Sequence, residues 1–424
     1  MNVALFRRID YWIGIPLCLL FSLYEKIKRR FFPKSVKNLG KNSNALFIQL
    51  SEMGAVILAH TALTEMQRAH PGVRIHFLTF RSNRACIDLL GTVPADQVFT
   101  IDDSSTAGFI ASTLGVIWKT RRRGMDVAFD LELFARASCL LAYLCGARQR
   151  SGFHSYRMEG LYRGNLLTHH VLYNPYQHMT ANFVALVGAL AAPADELPLL
   201  KKRIAAEPRV PGLALAASEQ QQLTRRLKAL QPAFDPARPL VVMNPNAGAL
   251  AIRAWPLKRY TALASELVAR RRATIVVMGL EEARPDAQAI LEAVPQNGID
   301  ITGRTTLKEV ITLFSMADVL VTNDSGPAHF AALTPIHNFV FFGPETPRLY
   351  GPLGPHAHPL YADFSCSPCL TAYNHRNSPC SEPQCLHAIS VESVLKQILK
   401  TLDHDPRDPS PRSIGRGNRS ENSS

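Results

Sequence analysis

The stretch VLVTNDSGPAHFAALTP, residues 319–335, joins an apolar strand to a short helix of small residues through a polar corner. Pro327 suits the first position of a helix, so the chain is predicted to turn sharply from strand to helix here. A strand that leads straight into a helix is the unit from which parallel sheets with helices on both faces are built. The corner holds a carboxylate, a hydroxyl, a glycine and a histidine within six residues: Asp324, Ser325, Gly326 and His329.

The same alternation continues on both sides of this corner through the C-terminal half. Apolar runs predict strands, and the helical spacing of apolar residues between them predicts helices. The strands are 239–248 with its loop, 274–279, 299–303, 318–324 and 337–343, and the helices are 256–270, 285–294 and 307–316.

The N-terminal half shows an equivalent series, with strands at 45–50, 73–80, 98–102 and 126–132 and helices at 55–70, 83–90, 107–123 and late in 174–190. Two α/β domains are therefore predicted, each a doubly wound, Rossmann-like parallel sheet with ligands at the carboxyl ends of its strands. Their expected bounds are 43–190 and 239–402, joined by 191–238, with an arm at 1–42 and a polar, disordered tail at 403–424.

The composition agrees with a two-domain globular protein and limits the classes of partner that it is expected to bind. The 424 residues exceed the usual size of a single core, and 47% are hydrophobic and 19% charged. The formal net charge is +13, but basic residues are not interleaved with aromatic ones as on nucleic-acid-binding surfaces. An anionic membrane surface or a phosphorylated ligand is therefore expected, and nucleic acid is not.

The N-terminal arm combines apolar and basic residues. Residues 1–37 contain eight Lys or Arg against Asp10 and Glu25, a net charge of +6. The uncharged run YWIGIPLCLLFSLY, 11–24, is shorter than the roughly 20 residues that span a bilayer, and a basic cluster follows it in place of a cleavage site. The pattern predicts an in-plane anchor on the inner face of a membrane, and the alternative is an arm packed on its own protein.

The eight cysteines fall into two groups. Cys18, Cys86, Cys139 and Cys145 are scattered in apolar surroundings and are predicted to be buried, which suits a reducing cytoplasm. No catalytic metal is predicted. The remaining four lie close together, and their spacing is compatible with a structural zinc ion or with a disulfide: Cys366, Cys369, Cys380 and Cys385.

Neither a dinucleotide-binding G-x-G-x-x-G nor a P-loop occurs, so a phosphate has to be held in another way. At the polar corner, the backbone N–H groups of Ser325, Gly326 and Ala328 are predicted to face an anion, helped by the helix dipole. The alternative is a plain strand–helix corner in which Asp324 caps the helix and His329 lies in the core.

A second polar loop, NPNAGALAIRAWP at 244–256, follows the first predicted strand of the C-terminal domain. Asn246 lies in its turn, and Arg253 is placed to clamp a diphosphate with its guanidinium. After the next strand, Glu281 and Glu282 are candidates to accept hydrogen bonds from ribose hydroxyls. Plain solvent exposure is the alternative for these side chains.

Several motifs together resemble glycosyltransferase family 9, the ADP-heptose:lipopolysaccharide heptosyltransferases and their relatives. In the N-terminal half the motif is ALFIQLSEMGAVILAHTALTEMQRAHPGVRIHFLT. In the C-terminal half the motifs are RAWPLKRYTALASELV, VMGLEE, GRTTLKEVITLFSMADVLVTN, NDSGPAHFAAL and FFGPETPRLYGP. They occur in the family's order and cover about residues 44–400.

The resemblance implies a GT-B fold, in which two Rossmann-like domains face each other across a cleft. It implies a nucleotide-sugar donor, usually an ADP-sugar, on the C-terminal domain and the acceptor on the N-terminal domain. It also implies transfer with inversion at the anomeric carbon and without a metal. The residues that the resemblance implies for donor binding are Arg253, Glu282, Asp324, Ser325, Gly326 and His329. Asn246 is added to this set because of its place in the polar loop.

The first loop departs from the family pattern. Family members usually have Asp directly after the Gly of this loop, as the base for the acceptor hydroxyl, whereas here the loop reads SEMGA, 51–55. Ala55 cannot accept a proton, so Glu52, between Ser51 and Gly54 in the same loop, is the predicted base. The alternatives are Asp130, Glu132 and His178.

The sequence thus predicts an inverting, metal-independent glycosyltransferase that uses a nucleotide-sugar, ADP-linked by resemblance. It would transfer heptose or a related sugar to a lipid-linked acceptor, lipopolysaccharide or another envelope glycan, at the inner face of a bacterial plasma membrane. Two alternatives share the fold: a catalytically inactive nucleotide-binding scaffold, suggested by Ala55, and a nucleotide-sugar epimerase.

Overall fold

The structure is a computed structural model that describes residues 3–31, 39–154, 162–192, 203–204, 210–211, 213, 215–248 and 250–403. The tail predicted to be disordered lies outside the described residues from 404 onward, and so does much of the predicted connection 191–238.

The N-terminal half is built on a parallel six-stranded sheet. Its strands are β1 (Asn44–Ile48), β2 (Arg74–Phe80), β3 (Val98–Ile101), β4 (Val127–Asp130), β5 (Gln149–His154) and β6 (His169–Leu172), in the order β3-β2-β1-β4-β5-β6. Its helices are α1 (Val3–Trp12), α2 (Gly14–Phe31), α3 (Met53–Ala69), α4 (Arg84–Leu90), α5 (Thr106–Arg123), α6 (Arg136–Leu144) and α7 (Met179–Gly188).

Alternate residues of the central strand β1 face two different helical layers. Ala45 and Phe47 lie in one core with residues of α3 and α7, whereas Leu46 and Ile48 lie in another with residues of α5 and α6. The arm extends this second layer, because Cys18 and neighbouring apolar side chains of α2 pack against α6. One face of the arm is therefore packed on its own protein, as the alternative reading of its sequence expected.

The C-terminal half repeats the architecture. Its strands are β7 (Leu240–Asn244), β8 (Thr274–Val277), β9 (Gly298–Asp300), β10 (Val319–Asn323), β11 (His337–Phe342) and β12 (Ala357–Tyr361), in the order β12-β11-β10-β7-β8-β9, all parallel. Its helices are α8 (Ala217–Leu230), α9 (Leu257–Arg271), α10 (Arg284–Leu291), α11 (Leu307–Met316), α12 (Gly326–Phe330), α13 (Pro347–Tyr350), α14 (Gln384–His387) and α15 (Val391–Leu402).

Both sheets confirm the predicted doubly wound α/β class. In each one the order reverses beside the first strand, since β1 lies between β2 and β4, and β7 lies between β8 and β10. Such switch points leave a crevice at the carboxyl ends of the strands, where ligands bind in open α/β sheets. The loops that follow β1, β7 and β10 therefore define the place to look for a site.

Local sequence signals fix several helix ends. Thr306 and Glu309 form a reciprocal capping box at the start of α11. Ser105 accepts a hydrogen bond from Gly108 N at the start of α5, and Gly124 ends this helix with a left-handed backbone that glycine adopts at low cost.

Several elements escaped the sequence prediction, among them the strands β5, β6 and β12 and the helices α6 and α15. The strand β5 reads QRSGFH, which lacks the apolar run expected of a buried strand. Its Arg150 is almost fully buried because backbone carbonyls of Leu166 and Ala147 accept hydrogen bonds from its guanidinium, and Glu25 pairs with it. Specific polar partners, invisible in the local pattern, thus allow this segment to enter the sheet.

Candidate active site

The two domains meet where α3 and α12 begin. Gly54 at the start of α3 lies so close to His329 of α12 that a Cβ at position 54 would be 2.4 Å from His329 Cδ2. A glycine is therefore required for this approach of the first loop to the polar corner. The predicted first-loop residues and the predicted donor residues consequently lie on opposite sides of one narrow contact.

Asp324 and Arg253 form a shielded ion pair at the polar corner. Arg253 Nη1 lies 3.2 Å from Asp324 Oδ2, and the two side chains are 17% and 6% exposed. Burial raises the pKa of Asp324, although the guanidiniums of Arg253 and Arg376 oppose the rise. The alternative offered by the sequence, that Asp324 caps the helix, is wrong, because Ser325 occupies the N-cap position of α12.

Asn323 fixes the loop that carries Arg253. Its Oδ1 accepts hydrogen bonds from Trp255 N at 2.8 Å and from the Tyr260 hydroxyl at 3.2 Å, and its Nδ2 donates to Pro245 O at 2.7 Å. The carboxyl end of β10 and the loop after β7 are thereby joined through one buried amide. Arg253 is thus presented at the corner by a preorganised loop.

Two buried nitrogen atoms at the corner have no partner among the residues that the structure describes. They are Arg253 Nε and His329 Nδ1. Burial lowers the pKa of His329 to about 4, so its ring is neutral at physiological pH. An unsatisfied buried polar group costs about 1–3 kcal/mol, so both atoms are positioned to gain from a ligand.

The backbone of the corner only partly matches its prediction. Ala328 N donates to Ser325 O at 3.1 Å, so the expectation that this N–H group faces an anion is wrong. The tight turn at the start of α12 uses this donor internally. The Ser325 hydroxyl makes no cap bond and donates to Asn323 O at 3.1 Å.

Two further predicted donor residues lie on neighbouring loops. Asn246 Oδ1 accepts a hydrogen bond from Gly248 N and closes the turn after β7. Glu282 lies in a 3₁₀ turn, Glu281–Ala283, just after β8, and its side chain is exposed. Glu281 is engaged by Arg284 at 2.7 Å, so Glu282 is the more accessible acid of this pair.

Glu52 occupies the N-cap position of α3 and faces the cleft. Its side chain is 42% exposed, forms no cap bond and makes an ion pair with Arg376 of the C-terminal half. Burial raises the pKa of Glu52, but the guanidiniums of Arg376 and Arg253 outweigh it and lower the pKa below its ordinary value. Glu52 is therefore an ionised carboxylate beside the polar corner.

The alternative bases are occupied by structural contacts. Glu132 accepts hydrogen bonds from Leu50 N at 2.7 Å and Ser51 N at 3.0 Å, and so holds the first loop in place. The Ser51 hydroxyl donates to the same carboxylate. Asp130 is buried and pairs with Arg163 at 2.7 Å.

His178 is also engaged at both ring nitrogens. Its Nδ1 accepts from Thr180 N at the start of α7, so Nε2 carries the proton and donates to Gly351 O at 2.9 Å across the domain contact. Glu52 is thus the candidate whose carboxylate combines exposure with contact to the cleft.

The sequence prediction missed a third group in the cleft, centred on Arg376. Its Nη2 donates to the Tyr350 hydroxyl at 2.8 Å, and its Nε lies 3.3 Å from Glu345 Oε1. Burial raises the pKa of Glu345 to about 8, although Arg376 opposes the rise. Glu345 and Tyr350 belong to the quoted motif FFGPETPRLYGP, whereas Arg376 lies among the closely spaced cysteines, where only its charge could have drawn notice.

Arg376 and His375 both have left-handed backbone conformations, with φ of 55° and 52°. Non-glycine residues in this region are strained, and such strain occurs often at functional sites. The segment thus turns sharply to direct the guanidinium of Arg376 into the cleft.

The cysteines give no support to a zinc site. Within the described ranges, no three His, Cys, Asp or Glu side chains are grouped in a way that could hold a metal ion. The eight thiols are free, so the disulfide that the spacing left open is not formed, and Cys366 and Cys380 are exposed. Cys18, Cys86, Cys139 and Cys145 are buried, as predicted.

Comparison with known proteins gives a consistent result. The profile of glycosyltransferase family 9 (heptosyltransferase) matches residues 117–378. The lipooligosaccharide heptosyltransferase 2 of Haemophilus influenzae is 24% identical over 318 residues, which are 73% of this chain and 86% of that protein.

Two solved structures resemble the fold. The Escherichia coli ADP-heptose lps heptosyltransferase II has a TM-score of 0.64 at 20% identity, covering 85% of this chain and 98% of the other. A glycosyl transferase family 9 protein from Veillonella parvula has a TM-score of 0.69 at 18% identity, covering 87% and 99%. Both likenesses agree with two Rossmann-like domains of the GT-B type.

Proposed function

Since the chain belongs to glycosyltransferase family 9 and is thus a glycosyltransferase, we propose that it transfers heptose or a related sugar from an ADP-sugar to a lipopolysaccharide-type acceptor. The relatives support this choice through their own names, lipooligosaccharide heptosyltransferase 2 and ADP-heptose lps heptosyltransferase II. The acceptor is proposed to be lipid-linked and to be glycosylated at the inner face of the plasma membrane.

The observation that carries the donor proposal is the corner formed by Arg253, Asp324 and His329. Arg253 forms an ion pair with Asp324 through its Nη1, and its buried Nε has no partner among the described residues. The donor diphosphate would accept a hydrogen bond from this Nε and would gain the neutral His329 ring as a neighbour. Guanidinium groups bind such oxyanions through charged, directional hydrogen bonds.

Glu52 is proposed as the base of an inverting displacement. The acceptor oxygen attacks the anomeric carbon while its proton passes to the Glu52 carboxylate. The bond between that carbon and the diphosphate oxygen breaks, and the nucleoside diphosphate leaves with the electron pair. Arg253 and Arg376 supply positive charge on the side of the leaving group, which supports a reaction without a metal.

Arg376 also controls how basic Glu52 is. The ion pair keeps this carboxylate ionised, but it also weakens its affinity for a proton. We therefore expect the guanidinium to move from Glu52 toward the substrate when both substrates are bound. Tyr350 and Glu345 would then remain as its anchors on the C-terminal side.

The test is release of ADP from ADP-heptose with and without a purified lipopolysaccharide-core acceptor. Acceptor-dependent release by the parent, with glycosylated acceptor as product, is expected. Donor consumption without an acceptor would favour the epimerase alternative. Nucleotide binding without any turnover would favour the inactive scaffold.

A further inference from the structure

The layer of helices on the α6 side of the N-terminal sheet exposes large apolar side chains in two places. On α5, Ile110, Leu114 and Trp118 are spaced by four residues and form one exposed ridge, here called the α5 ridge. Side chains four apart lie on the same face of a helix. The arm exposes a second set along α1 and α2: Tyr11, Trp12, Ile13, Leu19, Leu20, Leu23, Tyr24, Ile27 and Phe31.

These two sets belong to one surface layer because α6 lies between them. Leu141 and Ala142 of α6 share a core with Val116 of α5. Cys139 and Leu140 of α6 share another core with Cys18 of α2. The inner faces of α5 and α2 thus both pack on α6, and the large apolar side chains on their outer faces are exposed.

The acidic side chains of this layer are turned inward. The helices α1, α2, α5 and α6 contain two carboxylates, Asp10 and Glu25. Asp10 accepts hydrogen bonds from Arg136 N and Ala137 N at the start of α6, at 2.9 and 2.8 Å. Glu25 is buried beside Arg150 and accepts from the Tyr143 hydroxyl at 3.1 Å.

Basic side chains of α2 and α5 in the same layer are exposed, whereas Arg136 of α6 is buried beside Asp10. On α2, Lys26 and Arg30 are exposed beside the apolar set. At the end of α5, Lys119, Arg121, Arg122 and Arg123 are exposed, and the Arg122 guanidinium lies 4.7 Å from the centre of the Trp118 ring. The outer surface therefore combines apolar and cationic groups, which suits the boundary between acyl chains and anionic head groups.

We propose that this layer, the arm together with the α5 ridge, is a docking surface for an anionic lipid bilayer. The contact is in-plane, since no helix among the described residues is long and apolar enough to cross a membrane. Trp118, Trp12 and the tyrosines are the side chain types that favour the membrane interface. The α5 ridge extends the contact beyond the arm, so the whole sheet face would rest on the membrane.

This inference rests on the proposed function in one respect: the lipid-linked acceptor explains why docking on a membrane would be useful. A lipid-linked acceptor lies at the bilayer surface, and α5 begins at the carboxyl edge of the sheet, the same edge as the cleft. Docking itself requires no donor, acceptor or turnover. Its failure and the failure of the proposed reaction are therefore distinguishable.

The test is co-sedimentation of the full chain with vesicles of phosphatidylethanolamine and phosphatidylglycerol, compared with vesicles of phosphatidylcholine alone. Binding to the anionic vesicles is expected, weakened by salt. Leu114→Asp on the α5 ridge and Leu23→Asp on the arm should each weaken it about tenfold, the loss of one buried leucine. Leu230→Asp on α8, also at an exposed leucine, is the matched control and should bind as the parent does.

Thermal unfolding of each variant establishes that it is folded. A parent that stays in the supernatant, or a Leu114→Asp variant that binds as tightly as the parent, overturns the proposal. Equal binding to phosphatidylcholine overturns the choice of anionic lipid. A Leu114→Asp change that turns a dimer into a monomer and leaves vesicle binding intact would assign the ridge to a second copy of this chain instead. Glu52→Gln should bind vesicles normally even when it is inactive.

Discussion

At the scale of single residues, the proposed donor binding depends most directly on the Arg253–Asp324 pair. Arg253→Ala leaves Asp324 buried without its nearest cation, which typically costs about 3–5 kcal/mol of the free energy of unfolding. It also removes the donor of the hydrogen bond proposed for the diphosphate. Urea unfolding should therefore show lower stability, and ADP should no longer raise the unfolding temperature.

A double variant separates these two effects. Arg253→Ala combined with Asp324→Asn carries no buried charge at this pair, so most of the lost stability should return. Stabilisation by ADP should stay absent, because the guanidinium is still missing. Recovery of ADP binding in the double variant would contradict the role given to Arg253.

Glu52→Gln tests the proposed base. The amide keeps the size of the side chain but cannot accept the proton, so kcat should fall by about 10²–10⁴-fold while ADP binding is retained. Ser51→Ala is a neighbouring control that loses a hydrogen bond to Glu132 and should have a much smaller effect on kcat. An unchanged kcat in Glu52→Gln would move the base elsewhere in the cleft.

The sequence brought the proposed donor residues together, but it did not indicate the third group. Asp324, Ser325 and His329 follow one another in a motif, so a local reading brings them together. Arg376 meets Glu52 across 324 positions of the chain, and it does so through a strained turn. No spacing or periodicity encodes such a contact, which only the packing of the two domains creates.

At the scale of elements, the approach of α3 to α12 is set by Gly54. Gly54→Ala introduces a methyl group 2.4 Å from the buried His329 ring, so the two helix starts have to separate. Overpacking of this kind costs about 1–3 kcal/mol, and the cleft should lose its alignment. We expect lower thermal stability and a kcat reduced more than ADP affinity.

A matched pair of variants checks this reading. His329→Ala in the Gly54→Ala background removes the ring that the new methyl group would meet and should restore part of the lost stability. Gly115→Ala, at a helix position where an added Cβ has open space, should cost nothing. If Gly54→Ala behaves like Gly115→Ala, the close contact between the domains is not formed in solution.

The elements that could be predicted are those in which the apolar residues form a continuous run or follow a clear helical spacing. The strands around the polar corner read as continuous apolar runs, and β10 and β11 were placed within a residue or so of their ends. The strand β5 was missed because its polar residues Gln149 and Arg150 are buried, Arg150 through partners distant in the sequence. Its neighbour β6 was also missed, because two of its four residues are buried histidines and not apolar residues.

At the scale of the whole molecule, buried carboxyls make stability depend on pH. Burial raises the pKa of Glu345 to about 8 from an ordinary value of 4.5. The folded state therefore retains a proton that the unfolded chain has lost between these values. The free energy of unfolding should fall as pH rises through this range and should level off above it.

Urea unfolding at about pH 5 and about pH 8.5 measures this dependence. Glu345→Gln should flatten it, because the amide does not titrate. The comparison isolates Glu345 from Glu132, whose pKa burial raises in the same direction, to about 7. Identical pH dependence in parent and variant would show that Glu345 is not buried as described.

The measurement that tests the central claim most directly is thermal unfolding of the intact protein with ADP, UDP, GDP or CMP, with Asp324→Ala as its control. A nucleotide present at a hundredfold excess over its dissociation constant adds about 2.7 kcal/mol to the stability of a folded protein that binds it. We predict stabilisation by ADP alone and its loss in Asp324→Ala. Stabilisation by another nucleotide would contradict the ADP-sugar donor, and no stabilisation by any of the four would contradict the donor site itself.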